Sequence, residues 1–442
     1  MKFSSYRLYP RLISSLITFI AVSLIAGRAL AATPTPVPPP VSAASSLQSL
    51  GQQLFFDKNL SKPAGTACAS CHNPATGFAD NHGSATGVSQ GSVAGVLGLR
   101  NAMSNAYGAF IPAFHMTYAN GALHAAGGLF RDGRVDTLAQ QALAPLLAAQ
   151  EMNNASQAAV VQKIASAGYA NQFKLQFGAG IFSNPSQAFQ DIGVAIAAFE
   201  ATQQLQQFSS KYDQFVQGKV QLAANEARGM ALFMDPAAGN CASCHTMNPK
   251  SKNATDNLFA DFSYHALGIP RNPAIPANAN PSFYDLGLCG PKRQIPALPS
   301  NAPATANAQQ FCGTFRTVSL RNVALRHNFM HNGVFSDLST VIDFYSTRNS
   351  NPTRWYGSTG IPNDLPLAYL PNIIHDRAPF NRPPSAGPLL NAAQSSDLLA
   401  FLGTLSDGFT VANGTSPKAA PPPPPAPVNG KATVILNPFS GK

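Results

Sequence analysis

Cys68-Ala-Ser-Cys71-His72 recurs letter for letter as Cys241-Ala-Ser-Cys244-His245. Cysteines three apart on a helical turn share one face, with the next residue beside them. Two thiols so placed can bond the vinyl groups of a haem while the adjacent imidazole ligates its iron, so the two pentapeptides predict two covalently bound c-type haems. A zinc site would need the two Cys pairs to converge, or a nearby His-x-x-x-His, and the sequence has none beside either pair. Two small disulfides would leave the His after each pair unexplained.

The ends of the chain say where this chemistry takes place. Lys2, Arg7 and Arg11 precede an apolar run from Leu12 to Gly27, followed by Ala29-Leu30-Ala31 as a small-residue cleavage site. Residues 1–31 read as a signal peptide, too short in its apolar run for a retained span. The mature protein is expected in the periplasm of a Gram-negative cell, where haem attachment and disulfides are both permitted. Cys289 and Cys312, in a Pro/Asn/Ala-rich stretch, are expected to bridge each other as a loop staple. Cleavage removes four basic residues and lowers the formal charge from +10 to +6, with no run of Lys and Arg dense enough for nucleic acid. The mild excess points weakly to an acidic protein partner.

Pro-rich stretches flank the core, TPTPVPPPVSA at residues 33–43 and SPKAAPPPPPA at 416–426. Neither can bury a core. Between them the chain repeats itself. Gly51-x-x-Leu54-Phe55-Phe56-Asp57 leads into the first pentapeptide and Gly229-x-x-Leu232-Phe233-Met234-Asp235 into the second. A Leu-Arg-Asn follows each, at 99–101 and at 320–322, then a glycine turn with leucine five residues on, Gly133 to Leu138 and Gly333 to Leu338. The expected organisation is a leader at 32–46, haem domains at 47–208 and 209–412, and a tail at 413–442. The second domain holds an insertion between His245 and Leu320 that contains Cys289 and Cys312.

The fold class expected is all-α, two homologous cytochrome c-type domains with long irregular loops. Helical spacing is found at 136–149, 186–207 and 337–346, residues 270–310 read as loop, and no alternating strand pattern of useful length is evident. The repeat also compares the two irons. Twelve residues after Gly333 stands Tyr345, and twelve after Gly133 stands Pro145. A phenol oxygen can bind iron and proline cannot, so the first haem is expected to be open and the second closed. Met330 is the fallback ligand for the second.

These motifs resemble the bacterial dihaem cytochrome c peroxidase and MauG superfamily, from about Leu47 to Leu405. The resemblance rests on both CxxCH sites, Phe130-x-Asp132-Gly133-Arg134, Leu138-x-x-Gln141-Ala142, Pro145 and Glu151-Met152. It continues with Phe262-x-x-His265-x-Leu267-Gly268, Leu320-Arg321-Asn322 and His331-x-Gly333 followed by Leu338 and Tyr345. It implies that Cys68, Cys71, Cys241 and Cys244 hold the haems, with His72, His245 and Tyr345 as axial ligands. The axial tyrosine places the chain nearer the MauG branch than the methionine-ligated peroxidases. The resemblance makes Glu151 the distal acid/base, Gln141 a hydrogen-bond donor to iron-bound oxygen, and Pro145 a cover over the open iron. His82 is read as a loop residue rather than a blocking ligand, and His265 and His331 as structural. His115, His124, His327 and His375 have no role beyond surface or packing.

Two residues depart from the family. Arg131 stands where relatives have a relay tryptophan, leaving Tyr107 or Phe130 as candidate bridges between the haems; the lone Trp355 lies elsewhere in the motif order. Arg326-His327-Asn328 replaces a Thr-x-Pro beside an interdomain calcium, for which Asn101 would be the side-chain ligand. The expected activity is reaction with hydrogen peroxide at the first haem and oxidation of a partner, such as aromatic residues of a protein, through a high-valent dihaem state. The alternatives are a peroxidase fed by a small electron-donor cytochrome, and a non-enzymatic dihaem electron carrier.

Overall fold

The structure is a computed structural model and describes residues 43–80 and 86–410. The expected signal peptide, the leader up to residue 42, His82 and the expected tail lie outside the described residues.

The first half runs through α1 (Ala43–Phe56), the one-turn α2 (Cys68–Cys71), α3 (Leu138–Leu147), α4 (Gln157–Ala165), α5 (Ala170–Phe177) and α6 (Pro185–Glu200). The second runs through α7 (Lys211–Val216), α8 (Ala224–Met234), α9 (Leu338–Thr347), α10 (Pro352–Tyr356) and α11 (Ala392–Gly403). Local chemistry starts the long helices. Asn184 accepts from Gln187 N ahead of Pro185 at the first helical position of α6, and Asn391 accepts from Gln394 N ahead of α11. Along α6, Ile192, Ala195, Ile196 and Phe199 recur at helical spacing and are buried against Leu50 and Leu54 of α1. The 186–207 expectation overruns this helix, which stops at Glu200 because the following residues turn inward, Leu205 O accepting from Tyr107 N at 2.9 Å.

The same joint is built twice. A Cβ at Gly51 would lie 1.8 Å from Ala195 O and 3.0 Å from Phe199 Cβ; one at Gly229 would lie 2.0 Å from Asp397 O and 2.8 Å from Phe401 Cβ. Glycine is therefore required where α1 crosses α6 and where α8 crosses α11. Beneath each crossing sits an aromatic trio, Phe55 with Phe78 and Phe199, and Phe233 with Phe259 and Phe401, at centroid separations of 5.3–6.2 Å and 5.3–6.3 Å. The glycine turns also match: Leu129 N donates to Val135 O at 2.7 Å, and Phe329 N to Phe335 O at 2.9 Å.

One expected equivalence is corrected. Leu320-Arg321-Asn322 matches Asn105-Ala106-Tyr107 in space, not Leu99-Arg100-Asn101. Ser104 Oγ donates to Gly77 O at 2.5 Å as Ser319 Oγ does to Leu258 O at 2.6 Å. Tyr107 and Asn322 share a left-handed φ of 62°, each opening a short 3-10 turn. Both side chains end on Asp407, from Tyr107 Oη at 2.7 Å and Asn322 Nδ2 at 2.8 Å.

The all-α expectation is also corrected, to mostly helical with few strands. β1 (His115–Ala119) and β2 (Ala122–Ala126) form an antiparallel hairpin, and β3 (Tyr264–His265) pairs with β4 (Phe315–Arg316). Asn120-Gly121, at φ 53° and 80°, is the two-residue turn that right-twisted strands prefer. That dipeptide was readable in the sequence. The segment between β3 and β4 contains short 3-10 turns and irregular chain, closed by the Cys289–Cys312 disulfide. Leu288 and Phe311 from it pack with Leu123, Ala125 and Tyr264, so this insertion of the second half covers the hairpin of the first.

Gly229→Ala must push α8 off α11. We expect a loss of about 1–3 kcal/mol, read as a lower unfolding midpoint of the haem-loaded protein, whereas Gly403→Ala, where a Cβ meets nothing within 4 Å, should change little.

Candidate functional site

The two histidines of the pentapeptides are anchored in the same way. His72 Nδ1 lies 2.8 Å from Met103 O and 3.2 Å from Phe78 O, and His245 Nδ1 lies 2.9 Å from Phe259 O. Phe78 and Phe259 sit at equivalent points, both with positive φ, 59° and 55°. A carbonyl on Nδ1 fixes the proton there and turns Nε2 outward as a lone-pair donor, the arrangement that orients metal-binding imidazoles. Burial lowers the pKa of both rings, which keeps them neutral and able to ligate. Cys68, Cys71, Cys241 and Cys244 are free thiols on the turn before each His. Burial pushes all four upward, the reverse of a thiolate metal centre.

Cys241, Cys244 and His245 open onto an apolar cavity that Leu320, Leu398 and Leu402 wall on one side and Val341 and Tyr345 on another. Arg131, Arg316 and Arg326 also reach it, and Arg326 Nε is buried without a partner. An apolar slot with an imidazole at its base, thiols at its rim and an orphaned guanidinium nitrogen fits a haem and its propionates. Tyr345 packs on Phe380 at 5.2 Å, and its hydroxyl makes no hydrogen bond to another described residue. Burial, then Cys244 and Cys241, raises its pKa. Met330 borders the same cavity.

α3 and α9 are the same helix in two versions, ten residues each, capped by Thr137 and Asp337. Gln141 stands where α9 has Val341, and Pro145 where it has Tyr345. Pro145 also removes an N–H from the interior of α3. The chain then folds back, with Glu151 N on Ala148 O at 3.0 Å and Glu151 O accepting from Ser92 N at 2.7 Å. Burial raises the Glu151 carboxyl, and the charges of Arg134 and Lys292 oppose that. The charge of Glu151 in turn contributes to raising the thiols of Cys68 and Cys71. Lys292 comes from the insertion, whose place beside Glu151 no local spacing in the chain foretells. Arg293 beside it donates to Asp132 O at 2.8 Å and Gly133 O at 2.9 Å.

The remaining candidates separate clearly. Asn101 Oδ1 accepts from Arg131 Nη2 at 3.1 Å and Arg326 Nη2 at 3.4 Å, while its Nδ2 donates to Gly87 O. An oxygen held by two guanidinium groups does not fit a calcium ion, so the expected ligand role of Asn101 is not supported. Arg131 is buried at the rim of the second cavity, its pKa lowered by burial and by Arg326, Arg100 and Arg316. Trp355 lies behind α9, donating to Thr347 Oγ1 and packing on Phe335 and Phe344. Phe130 lies under the Arg134 guanidinium at 3.4 Å. Tyr107 is buried under Arg321 at 4.9 Å. His331 stacks on Phe315 and pairs with Asp364, His265 bonds Ser263, and His115, His124 and His375 bond local carbonyls. His327 is exposed.

The family model for di-haem cytochrome c peroxidase matches residues 45–221. The methylamine utilization protein MauG of Paracoccus denitrificans is 35% identical over 379 residues, covering 83% of this chain and 89% of its own. Among solved structures, the diheme peroxidase BthA of Burkholderia thailandensis superposes with a TM-score of 0.75 at 38% identity, over 88% of this chain and 91% of that one. A MauG-like protein associated with microbial copper homeostasis follows at 0.57 and 28%, over 91% and 99%. The chain belongs to the dihaem cytochrome c peroxidase and MauG family, whose members carry two c-type haems. It is a haem-dependent oxidoreductase of the peroxidase type.

With guanidinium groups on Asn101, chelation should be without effect. Excess EDTA, followed by added calcium, is expected to leave the absorption spectrum of the haem-loaded protein and its unfolding midpoint unchanged.

Proposed function

We propose that this is a periplasmic enzyme of the MauG type, which reacts with hydrogen peroxide at the first haem and oxidises a partner protein, with the second haem sharing the oxidising equivalents. The observation that carries this reading is the contrast at one helix position, Pro145 on α3 against Tyr345 on α9. His72 and His245 would hold the two haem irons, Tyr345 would close the second, and Pro145 would offer the first no ligand. The export segment at residues 1–31 supports the compartment, and no helix among the described residues is long and apolar enough to cross a membrane.

When bound, the first haem supplies the two-electron reduction of peroxide. Glu151 takes the proton from the entering peroxide and returns it to the departing oxygen, for which its raised pKa is suited. Gln141 donates a hydrogen bond to the oxygen nearer the iron, at the place where α9 has the mute Val341. Arg134 and Lys292 hold Glu151 below the value that burial alone would set. Tyr345 favours the more oxidised states of the second iron, because phenolate is a harder donor than a thioether. The outer partner reaches the second haem from the protein surface, and a protein substrate or a small donor cytochrome fills the same electron-transfer role. A peroxidase reading, with water as the only product, replaces the first if reduced cytochrome c supports rapid turnover with peroxide.

Glu151 must be ionised to accept the proton. The rate of reaction with peroxide should therefore fall as pH drops through a pKa above the usual carboxylate range, and Glu151→Gln should lose about 10²–10⁴-fold above that pKa, with the deficit narrowing below it and the pH dependence gone. Stopped-flow mixing of the ferric protein with peroxide measures both.

Tyr345→Phe should convert the second haem to a spectrum of lower coordination while the high-spin signal of the first is unchanged. Electron paramagnetic resonance of the resting protein reads the two irons separately. An unaltered second-haem signal in that variant would remove Tyr345 from the iron.

A further inference from the structure

The two haem pockets differ at two further pairs of matched positions, which the peroxide chemistry does not use. The matched serine bonds of Ser104 and Ser319 set Asn105 opposite Leu320, and the matched contacts of Phe199 and Phe401 with the glycine crossings set Glu200 opposite Leu402. Leu320 and Leu402 wall the second haem cavity. Asn105 and Glu200 therefore wall the first, and they meet, Asn105 Nδ2 donating to Glu200 Oε1 at 2.6 Å. Glu200 is 2% exposed, and its Oε2 is buried with no hydrogen-bond partner. Its charge bears on Cys68, the first thiol of the pentapeptide.

A carboxyl in such a place is held between two states. Burial pushes its pKa up to about 8, and the hydrogen bond from Asn105 draws it down. No opposite charge settles the matter. The spans of α1 and α3, which pack on α6, contain no Asp, Glu, Lys or Arg. Lys163 of α4 is engaged with Ser61 O at 2.6 Å and Asn154 Oδ1 at 2.7 Å. Asp191 of α6 accepts from Gln187 more than two turns away. Cys68 on α2 is committed to a thioether once haem is attached, and the charge of Glu151 also bears on that thiol. The iron charge is then the variable to which Glu200 responds, since one unit of charge in a poorly screened interior favours the neutral or the ionised carboxyl strongly.

We propose that Glu200 is the redox-linked proton site of the first haem. Its carboxylate takes one proton from solvent when the iron of that haem gains one electron, ferric to ferrous, and returns that proton to solvent when the electron leaves. Electron and proton travel together, so the buried pocket changes no net charge. The second haem, walled by Leu320 and Leu402, has no such group at these positions. This inference rests on covalent haem at Cys68 and Cys71 and is indifferent to which partner is oxidised.

Spectroelectrochemical titration of the haem-loaded protein at a series of pH values on either side of about 8 tests it, each haem followed by its own bands. The first haem should lose ~59 mV per pH unit, one proton per electron, through the window between its ferric and ferrous pKa values. Glu200→Gln should flatten that slope. Glu151→Gln should keep it, which separates Glu200 from Glu151, while the flattening in Glu200→Gln separates Glu200 from the haem propionates, which both variants retain. A parent protein with no slope at the first haem, or a slope that survives in Glu200→Gln, overturns the assignment. If Glu200→Gln does not take up haem, the paired Asn105→Leu and Glu200→Leu variant, which installs the wall of the second pocket, takes its place. It should bind haem and be flat, and a sloping pair overturns the proposal equally. A pyridine haemochrome count of the parent distinguishes failure of the coupling from failure of haem attachment itself.

Discussion

A buried imidazole that is to bind iron must have one nitrogen satisfied by the protein and the other left free. In this chain, main-chain carbonyls meet that condition in both halves, Met103 and Phe78 for His72 and Phe259 for His245. Those carbonyls are in place only because the chain turns with a positive φ at Phe78 and Phe259 and because the aromatic trios beneath them are packed. The trios in turn depend on helices that cross at Gly51 and Gly229 with no room for a Cβ. The close crossing, the aromatic floor and the fixed ring form one dependent series, and the chain builds it twice.

Upon that shared frame the haem-facing positions differ by side chain. Gln141, Pro145, Asn105 and Glu200 in the first half stand where the second has Val341, Tyr345, Leu320 and Leu402. At these positions the first half carries polar side chains and a proline, and the second carries aliphatic side chains and a phenol. The backbone does not need to change for the chemistry of the two irons to diverge. Divergence by substitution on equivalent elements is the simplest way for a duplicated unit to divide labour.

The halves are joined by charge as well as by packing. Asp132 is fully buried between Arg100 and Arg134, Arg100 also grips Asp285 of the insertion, and Arg131 and Arg326 meet on Asn101. Buried arginines at this density need acceptors, and the haem propionates would supply those that the protein lacks. The insertion contributes Asp285, Lys292 and Arg293 to the first half, so a segment encoded in one repeat helps to shape the distal side of the other.

Much of this was legible in the linear order of residues. The pentapeptides, the glycine-led repeat and the ten-residue helices that place Pro145 and Tyr345 in register are short-range patterns, and covalent haem attachment depends only on neighbours within one turn. The hairpin was not expected, although its Asn120-Gly121 turn is a short-range signal of the same kind. The pairing of Leu320-Arg321-Asn322 with Asn105-Ala106-Tyr107 was not legible, because similar letters at 99–101 lie nearer the eye than the serine bonds that define true equivalence. Asn105 and Glu200 are 95 residues apart, and the two guanidinium groups on Asn101 come from two separate segments, at Arg131 and Arg326. Local spacing can announce which residues attach a cofactor; which buried polar atoms end without a partner depends on long-range packing, and only the tertiary structure decides it.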